Sequence, residues 1–387
     1  MTGGRDNEIH TLLDAGFKRK NRYRYLFLLL VSTMLFTACG TKQQQELQLN
    51  ATENVYEEKI TMEKPVTPKE PLVTHIYTAD PSAHVFNGKI YIYPSHDLDQ
   101  EMQSNDNGDQ YNMEDYHILS LDDFSSPCVD HGEVLHVKDV PWASQQMWAP
   151  DAAYKNNKYY FYFPARDKEG NFRIGVAVGE TPTGPFTPEK EPIPGSFSID
   201  PAVFVDEDGK AYMYYGGLWG GQLEKWTTGS FNPEGKEPAA TKPALGPMVA
   251  ELSDDMLTFK ETPAEVSIVD QDGNPILAGD EFRRYFEGPW MHKYNDTYYL
   301  SYSTGTTHFL VYATSKSPKG PFVYQGRILN PVKGWTTHHS IIEFEGKWYL
   351  FYHDSSLSGG ADNKRCVKFT ELTYNEDGTI VTIDPYK

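Results

Sequence analysis

The sequence predicts an all-β fold, a five-bladed β-propeller that forms a single domain. One observation is composition, because 26 Tyr, 20 Phe, 31 Gly and 26 Pro among 387 residues suit many short strands joined by turns. Another is a motif that recurs five times after residue 70. The third is the spacing of the copies, 71, 49, 87 and 51 residues, which leaves room for a four-stranded sheet in each repeat.

The N-terminal segment is predicted to be an export signal. Basic residues between Lys18 and Arg24 precede the apolar run 26–36, which is too short to span a bilayer as a helix but fits a signal peptide. The run ends just before Cys39 and resembles a bacterial lipoprotein signal, in which cleavage leaves that cysteine as a lipid-modified N-terminus. An ordinary secretory signal or a short anchor is the alternative.

Three regions are therefore expected: a signal peptide at 1–39, a flexible polar tether at 40–70 and the propeller at 71–387. We expect an exported protein, lipid-anchored to the cell envelope, on a membrane face that the sequence leaves open. A net charge of −19 repels nucleic acid and anionic lipid, so the lipid anchor is the expected membrane contact and no nucleic acid is expected.

Each copy of the motif begins with a polar residue and runs through a tight turn into an aromatic-rich alternating strand. The polar residues are Asp80, Asp151, Asp200, Glu287 and His338. Asn-Gly, Asp-Gly and Glu-Gly pairs ahead of alternating hydrophobics predict hairpins, since these turns need positive φ.

The first strand of each propeller blade lines the central channel, so the five polar residues should converge on one place. Four of them are acidic, and like charges brought together raise one another's pKa, as acid–base sites require. The alternative is that an Asp before a turn bonds only to local backbone. That alternative does not account for Glu287 or His338 at the same repeat position.

The segments that carry these residues resemble those of glycoside hydrolase family 43, in the family's order, over about 72–387. ADPSAHVFNGKIYIYPSHD is similar to the segment of the general base, which implies that role for Asp80. SIDPAVFVDEDGKAYMYYGG is similar to the segment of an auxiliary aspartate, which implies that Asp200 orients the acid and raises its pKa. EGPWMHKYNDTYYLSYSTG implies that Glu287 is the general acid. The resemblance implies inversion, with water activated by the base.

The same resemblance implies further contacts. His338 matches an axial histidine that contacts a metal ion in many members, implying a structural Ca²⁺ and no organic cofactor; otherwise it hydrogen-bonds one of the carboxylates. Arg365 matches an arginine that binds the terminal sugar. Asp151 either contacts sugar hydroxyls or holds the start of its strand, and Trp148 either stacks on a pyranose or belongs to the core.

The expected substrate is a plant cell-wall polysaccharide or oligosaccharide. Segments such as GGLWGGQLEKW resemble β-xylosidase-like single-domain members, and the insertion at 95–117 is expected to wall one end of the channel, which favours cleavage of terminal sugars. We expect a monomeric exo-acting β-xylosidase that acts on xylo-oligosaccharides or xylan side chains. An α-L-arabinofuranosidase on arabinoxylan or arabinan is the alternative, and a non-catalytic carbohydrate-binding propeller a distant one.

Two features lie outside the repeat. A polar, Pro- and Gly-rich insert at about 227–250 is expected to be a surface loop. Cys128 and Cys366 either pair in an oxidising compartment or remain two buried free thiols.

Overall fold

The computed structural model describes residues 59–335 and 338–387. Five sheets are arranged as the blades of a β-propeller, which confirms the predicted fold. The predicted signal peptide, Cys39 and the first part of the tether lie outside the described residues. In the part of the chain that the structure describes, no helix is long and apolar enough to cross a membrane.

The blades follow one another along the chain. Blade I contains β1 (Ile60–Pro65), β2 (Tyr77–Phe86), β3 (Lys89–Asp97), β4 (Asp115–Leu121) and β5 (Pro127–His136). Blade II contains β6 (Ala143–Gln145), β7 (Asp151–Lys155), β8 (Lys158–Asp167), β9 (Phe172–Gly179) and β10 (Thr187–Pro188). Blade III contains β11 (Ala202–Val205), β12 (Ala211–Tyr215), β13 (Met248–Glu251) and β14 (Ala264–Glu265).

Blade IV contains β15 (Ile268–Val269), β16 (Glu287–Tyr294), β17 (Thr297–Ser303), β18 (Leu310–Ser315) and β19 (Phe322–Leu329). Blade V contains β20 (His339–Phe344), β21 (Lys347–Asp354) and β22 (Cys366–Leu372). Short 3₁₀ helices cover Val137–Asp139, Trp219–Gly221 and Leu223–Trp226. The strands pair antiparallel within each blade, except that β15 runs parallel to β19.

Each predicted repeat begins at the first strand of its hairpin, β2, β7, β11, β16 or β20. The turn between β2 and β3 shows why its sequence predicts a hairpin, since Asn87 and Gly88 have φ of 52° and 75°. Both angles lie in the left-handed region that a two-residue turn of this kind requires. Glu345 and Gly346, with φ of 51° and 76°, make the equivalent turn between β20 and β21.

The hydrophobic core consists of clusters between neighbouring blades. Tyr116 of blade I packs edge-to-face on Phe161 of blade II, with ring centroids 5.0 Å apart. On the other face of blade I, Leu119 shares a cluster with Phe351 of blade V. Burial of one such side chain stabilises the fold by about 1.5–3 kcal/mol, so the blades hold one another through their aromatic faces.

Residues 69–78, here called the closing segment, run along the outer edge of blade V. The backbone N–H groups of Lys69 and Leu72 donate to the carbonyl oxygens of Phe369 and Val367 at 2.8 and 2.9 Å. The chain then enters β2 of blade I. The closing segment therefore adds to the edge of the last blade and joins it to the first, which closes the ring.

Two predicted boundaries differ from the structure. The tether expected at 40–70 overlaps β1, which pairs with β5; the alternation of Ile60 and Met62 with polar residues is too short to predict a strand. The insert expected at 227–250 ends earlier, since β13 begins at Met248. Cys128 and Cys366 are both buried free thiols, so the second alternative for them is confirmed.

Candidate active site

A cavity of about 300 Å³ is lined by residues from the starts of four of the five blades. Asp80, Asp200, Glu287 and His338 all line it, together with Arg365. Several residues between Ser104 and Met113 form part of its wall, so the insertion expected to enclose the channel does so. The convergence predicted from the repeat positions is confirmed for these four residues.

Asp80 sits on a distorted part of its strand. The register between β2 and β3 shifts between Ala79 and Ser82, and Asp80 has a φ of 48°. Bulges of this kind re-aim a side chain and are frequent next to active sites, and a left-handed backbone is tolerated by Asp better than by most residues. The Asp80 N–H donates to His353 Nδ1 at 2.9 Å, which fixes the bulge.

The Asp80 carboxylate is held in its ionised form. Arg365 Nη1 donates to Oδ1 at 3.0 Å and Ser95 Oγ donates to Oδ2 at 2.7 Å. Burial alone would raise the pKa of Asp80, but the charge of Arg365, the charges that His353 and His338 carry when they are protonated at low pH, and the Ser95 hydrogen bond lower it to about 2. At neutral pH this group is a proton acceptor.

Arg365 is itself fixed by a second carboxylate. Its Nε and Nη2 atoms donate to the two oxygens of Asp97 at 2.8 and 2.7 Å, a bidentate geometry that gives a strong and well-oriented pair. The guanidinium also lies over the Tyr111 ring, 4.9 Å from its centroid. Arg365 lines the cavity, its contact with a sugar stays a prediction, and its effect on the charge of Asp80 was missed by the sequence analysis.

Glu287 and Asp200 form a second pair of carboxyl groups. The register between β16 and β17 shifts between Glu287 and Trp290, and Asp200 has a φ of 60°. Asp200 Oδ2 accepts a hydrogen bond from the N–H of Gly288 at 3.0 Å. Both line the cavity, but Asp200 is buried whereas Glu287 is partly exposed, so Glu287 is the more accessible member of the pair.

This pair retains a proton near neutral pH. Burial, and then the charge of Asp80, raise the pKa of Glu287 to about 8, although Arg365 opposes the shift. Burial, followed by the charges of Glu287 and Asp80, also raises the pKa of Asp200. Because two neighbouring carboxylates raise each other's pKa, the predicted contribution of Asp200 to the high pKa of Glu287 stays a prediction.

His338 stands beside the base. Its Nδ1 atom lies 3.6 Å from Asp80 Oδ1, which is longer than a hydrogen bond. A Cβ atom added to Gly288, whose φ is 64°, would lie 3.1 Å from the His338 ring, so a side chain at this position would require the ring to shift by a few tenths of an ångström. Burial lowers the pKa of His338, despite the opposing charge of Asp80, so the imidazole is neutral at pH 7.

Trp148 belongs to the core as one alternative predicted, and its stacking on a pyranose stays a prediction. It lines the cavity and is only 9% exposed, with its ring against Phe172 at 4.6 Å between centroids. Its Nε1 donates to the backbone oxygen of Tyr111 at 2.7 Å, which joins the tryptophan to the insertion at 95–117. A single ring thus belongs to both the core and the wall.

Asp151 does not reach the cavity, and its predicted contact with a sugar is corrected. It is 0% exposed, and its carboxylate accepts hydrogen bonds from Ser82 Oγ and the N–H of Val203 and lies 2.6 Å from His84 Nε2. These partners belong to blades I and III, so Asp151 ties three blades together below the site. The alternative of holding the strand start describes it better.

Other cavity residues were missed because they lie outside the repeat motif. Trp219 and Trp335 both line the cavity, and their rings stack with centroids 6.0 Å apart at an interplanar angle of 22°. Phe286 packs edge-on against Trp219 at 5.0 Å. Trp219 begins a short 3₁₀ helix and Trp335 lies in a loop. Neither segment shows a hydrophobic periodicity from which the position of its tryptophan can be predicted.

The arrangement can carry out acid–base chemistry on one small ligand. An ionised carboxylate and a protonated carboxyl line the same cavity, and environments that push two such pKa values apart identify an acid and a base. The aromatic walls suit the apolar faces of a sugar ring.

Comparison with known proteins agrees with this chemistry. The model of glycosyl hydrolases family 43 matches residues 78–380. Xylosidase/arabinosidase 43A of Humicola insolens is 62% identical over 324 residues, which cover 81% of this chain and 99% of that protein. A xylosidase/arabinosidase of Bacteroides ovatus is 54% identical, covering 82% of this chain and 98% of that protein.

The fold comparison gives the same result. The crystal structure of a β-xylosidase/α-arabinofuranosidase from a compost microbial metagenome, in complex with xylotriose and in a calcium-free form, matches with a TM-score of 0.82. The two chains are 62% identical, and the match covers 85% of this chain and 100% of the other. This chain belongs to glycosyl hydrolases family 43.

Proposed function

We propose that this glycoside hydrolase is an inverting, exo-acting β-xylosidase that releases terminal xylose from xylo-oligosaccharides or xylan side chains. The observation that carries the proposal is the opposite protonation of two carboxyl groups in one cavity. Asp80 has a pKa lowered to about 2 and Glu287 a pKa raised to about 8. Between these values the site holds both a base and an acid, which cleavage of a glycosidic bond requires.

The residues take distinct roles in this proposal. Asp80 accepts a proton from the water that attacks the anomeric carbon, and Arg365 keeps it ionised. Glu287 donates its proton to the departing oxygen on the opposite side of the sugar. Asp200 acts as a positioning residue, because it binds the N–H of Gly288, the residue that follows the acid.

Exo-action is supported by the enclosure of the cavity. Its volume of about 300 Å³ lies at the low end for ligand sites, which suits the end of a saccharide chain better than its middle. The insertion at 95–117 and the stacked pair Trp219 and Trp335 restrict the approach. A structure of a relative with xylotriose bound supports a xylose-based substrate here.

Arabinose release is the second candidate activity. The relatives from Humicola insolens and Bacteroides ovatus both carry the name xylosidase/arabinosidase, and both sugars are pentoses. The same Asp80 and Glu287 would serve either reaction, so α-L-arabinofuranosidase activity on arabinoxylan or arabinan is proposed as a side activity.

A calcium ion is part of the proposal only as a hydrated ion at His338. Ca²⁺ takes six to eight oxygen ligands, whereas the neutral His338 supplies one nitrogen and the neighbouring Asp80 is already bound to Arg365 and Ser95. The residues therefore fit an ion completed by water. Such an ion would add positive charge beside the base.

The cellular location of the protein is proposed from its sequence alone. The apolar run 26–36 and Cys39 support an exported protein with a lipid anchor, and anchored acyl chains give stable membrane attachment when two or more are present.

One experiment tests the activity. Purified enzyme is assayed on an aryl β-xyloside, an aryl α-arabinofuranoside, xylotriose and linear arabinan, with Asp80→Asn as the control. We expect the fastest turnover on the xylosides and, by NMR, first release of the inverted anomer from xylotriose. Release of the retained anomer first would overturn inversion, and faster cleavage of the arabinofuranoside would make arabinose release the principal activity.

A further inference from the structure

A group of metal-binding side chains lies on blade I, away from the axial cavity. Among residues 59–335 and 338–387, it is the one group of three His, Cys, Asp or Glu residues whose ligand atoms all lie within 4.8 Å of one another. Its members are His96 of β3 and Asp115 and His117 of β4. None of the three lines the cavity of the active site.

Strand register explains why these residues meet. Ile92 of β3 lies opposite Leu119 of β4 in an antiparallel pair. Four residues further along, the same register places His96 opposite Asp115. Because side chains alternate between the faces of a strand, Asp115 and His117 point to one face of the sheet. The donors are therefore fixed on two adjacent strands of a blade.

The three side chains already contact one another. His96 Nδ1 lies 2.5 Å from Asp115 Oδ1, a hydrogen bond that leaves His96 Nε2 and the second Asp115 oxygen as donors to an ion, and the ring centroids of His96 and His117 lie 4.7 Å apart. His117 Nδ1 is 3.0 and 3.1 Å from the two oxygens of Asp130 on β5. A histidine whose one nitrogen is held by a carboxylate presents the other, here Nε2, as a ligand, and such support is typical of metal sites.

The chemical types of these donor groups indicate which metal ion the group would bind. Two imidazoles and one carboxylate are a ligand set of catalytic-type zinc sites, which keep a position for water, whereas Ca²⁺ and Mg²⁺ prefer oxygen ligands throughout. The three side chains are 13–16% exposed, so an ion can enter from solvent. We propose that His96, Asp115 and His117 bind a Zn²⁺ ion, oriented by Asp130, at a second site separate from the axial cavity.

The site lies where the ring closes. Asp130 Oδ2 is also 2.8 Å from His75 Nε2, and His75 belongs to the closing segment that pairs with blade V. A bound ion would hold β3 and β4 together and fix Asp130, which in turn holds the closing segment. We therefore expect zinc to stabilise the folded ring.

Zinc titration of the untagged full chain tests the site. By calorimetry, and by the ligand-field absorption of Co²⁺ as a probe, we expect His96→Gln and His117→Gln to weaken binding by about 100-fold or more, and Asp130→Asn by about 10–100-fold. His338→Gln, at the active site, should retain the bound zinc. Zinc should also raise the melting temperature of the wild type and not that of His117→Gln.

His136 provides the matched control. Its side chain is 16% exposed, as is that of His117, and it lies opposite Asp115 on β5 but outside the group of three. His136→Gln should bind zinc as the wild type does. The proposal would be overturned if His136→Gln lost as much zinc affinity as His117→Gln does. It would also be overturned if the wild type and the double variant His96→Gln/His117→Gln bound zinc with equal affinity.

A measurement on the wild type alone covers the case in which a variant fails to fold. Crystals soaked in micromolar zinc chloride should show an anomalous peak between His96, Asp115 and His117. A peak only elsewhere, or one that requires millimolar zinc, would overturn the site.

Discussion

Removal of Arg365 should move the acid limb of the pH–activity profile to higher pH. The side chain binds Asp80 and Asp97 together, so its loss alone would leave two buried carboxylates without a cation, which is strongly destabilising. The double variant Arg365→Met/Asp97→Asn removes the cation and one of the anions together. Asp97→Asn alone, which keeps the contact between Arg365 and Asp80, is the matched control.

The size of the effect follows from the pKa of Asp80. That pKa is lowered from an ordinary 3.8 to about 2, a difference of about 2.4 kcal/mol at 1.36 kcal/mol per pH unit. Because the folded-state pKa is lowered, this stabilisation is present above pH 4 and is lost as pH falls toward 2. Without Arg365, the effect of burial is opposed by the Ser95 hydrogen bond and by the histidines only where they are protonated, so the pKa of Asp80 should rise by about 1–3 pH units.

The assay is kcat/KM for an aryl β-xyloside as a function of pH, since this ratio reports the pKa of groups in the free enzyme. We expect wild type and Asp97→Asn to stay active down to the onset of acid unfolding. The double variant should lose activity at a higher pH, because its base is protonated there. Circular dichroism at each pH separates this loss from unfolding.

An unchanged acid limb in the folded double variant would refute the reasoning. The same holds if Asp97→Asn alone moves the limb as far as the double variant does, because the effect would then not come from the charge of Arg365.

Three further predictions concern single residues. Glu287→Gln should lower kcat on xylotriose by about 10²–10⁴-fold, and much less on an aryl xyloside with a good leaving group. Asp80→Asn should lower kcat on both substrates to the same extent. If the two variants depended equally on the leaving group, the roles assigned to Glu287 and Asp80 would be wrong. Asp200→Asn should lower kcat and move the alkaline limb below pH 8, because Asp200 and Glu287 raise each other's pKa; an unchanged alkaline limb would leave burial and Asp80 as the causes of the high pKa of Glu287. Cys39→Ser should move the protein from the membrane fraction to the soluble fraction, and a wild type that is wholly soluble after export would contradict the anchor.

The fold and the axial residues could be predicted because the same motif occurs five times in the sequence. Each copy couples a turn that needs positive φ to an alternating strand, and the same position in each copy must face the channel. Asp80, Asp200 and Glu287 were therefore predictable as a set before any contact was known. Asp151 occupies that position as well, but the bonds to Ser82 and Val203 that bury it depend on three-dimensional packing that repeat position does not specify.

The electrostatic control of the site was not predictable in the same way. Arg365 was expected to meet the sugar, and its pairing with Asp97 depends on blades I and V standing side by side at the end of ring closure. The burial that raises the pKa of Glu287 could not be predicted either, because the depth of a side chain depends on three-dimensional packing. Trp219 and Trp335 lie outside the strands, in segments whose sequence shows no hydrophobic periodicity.

The pairing of Arg365 with Asp80 also has a consequence for how the protein acquires activity. The two residues are 285 positions apart, so the contact that ionises the base has one of the longest sequence separations the chain allows, and contacts of this kind form late. A ribosome-bound chain that lacks the last blade has Asp80 without its cation and cannot be a competent enzyme. Recovery of catalysis during refolding should therefore lag behind the recovery of β-structure, which makes turnover a reporter of the final step of assembly.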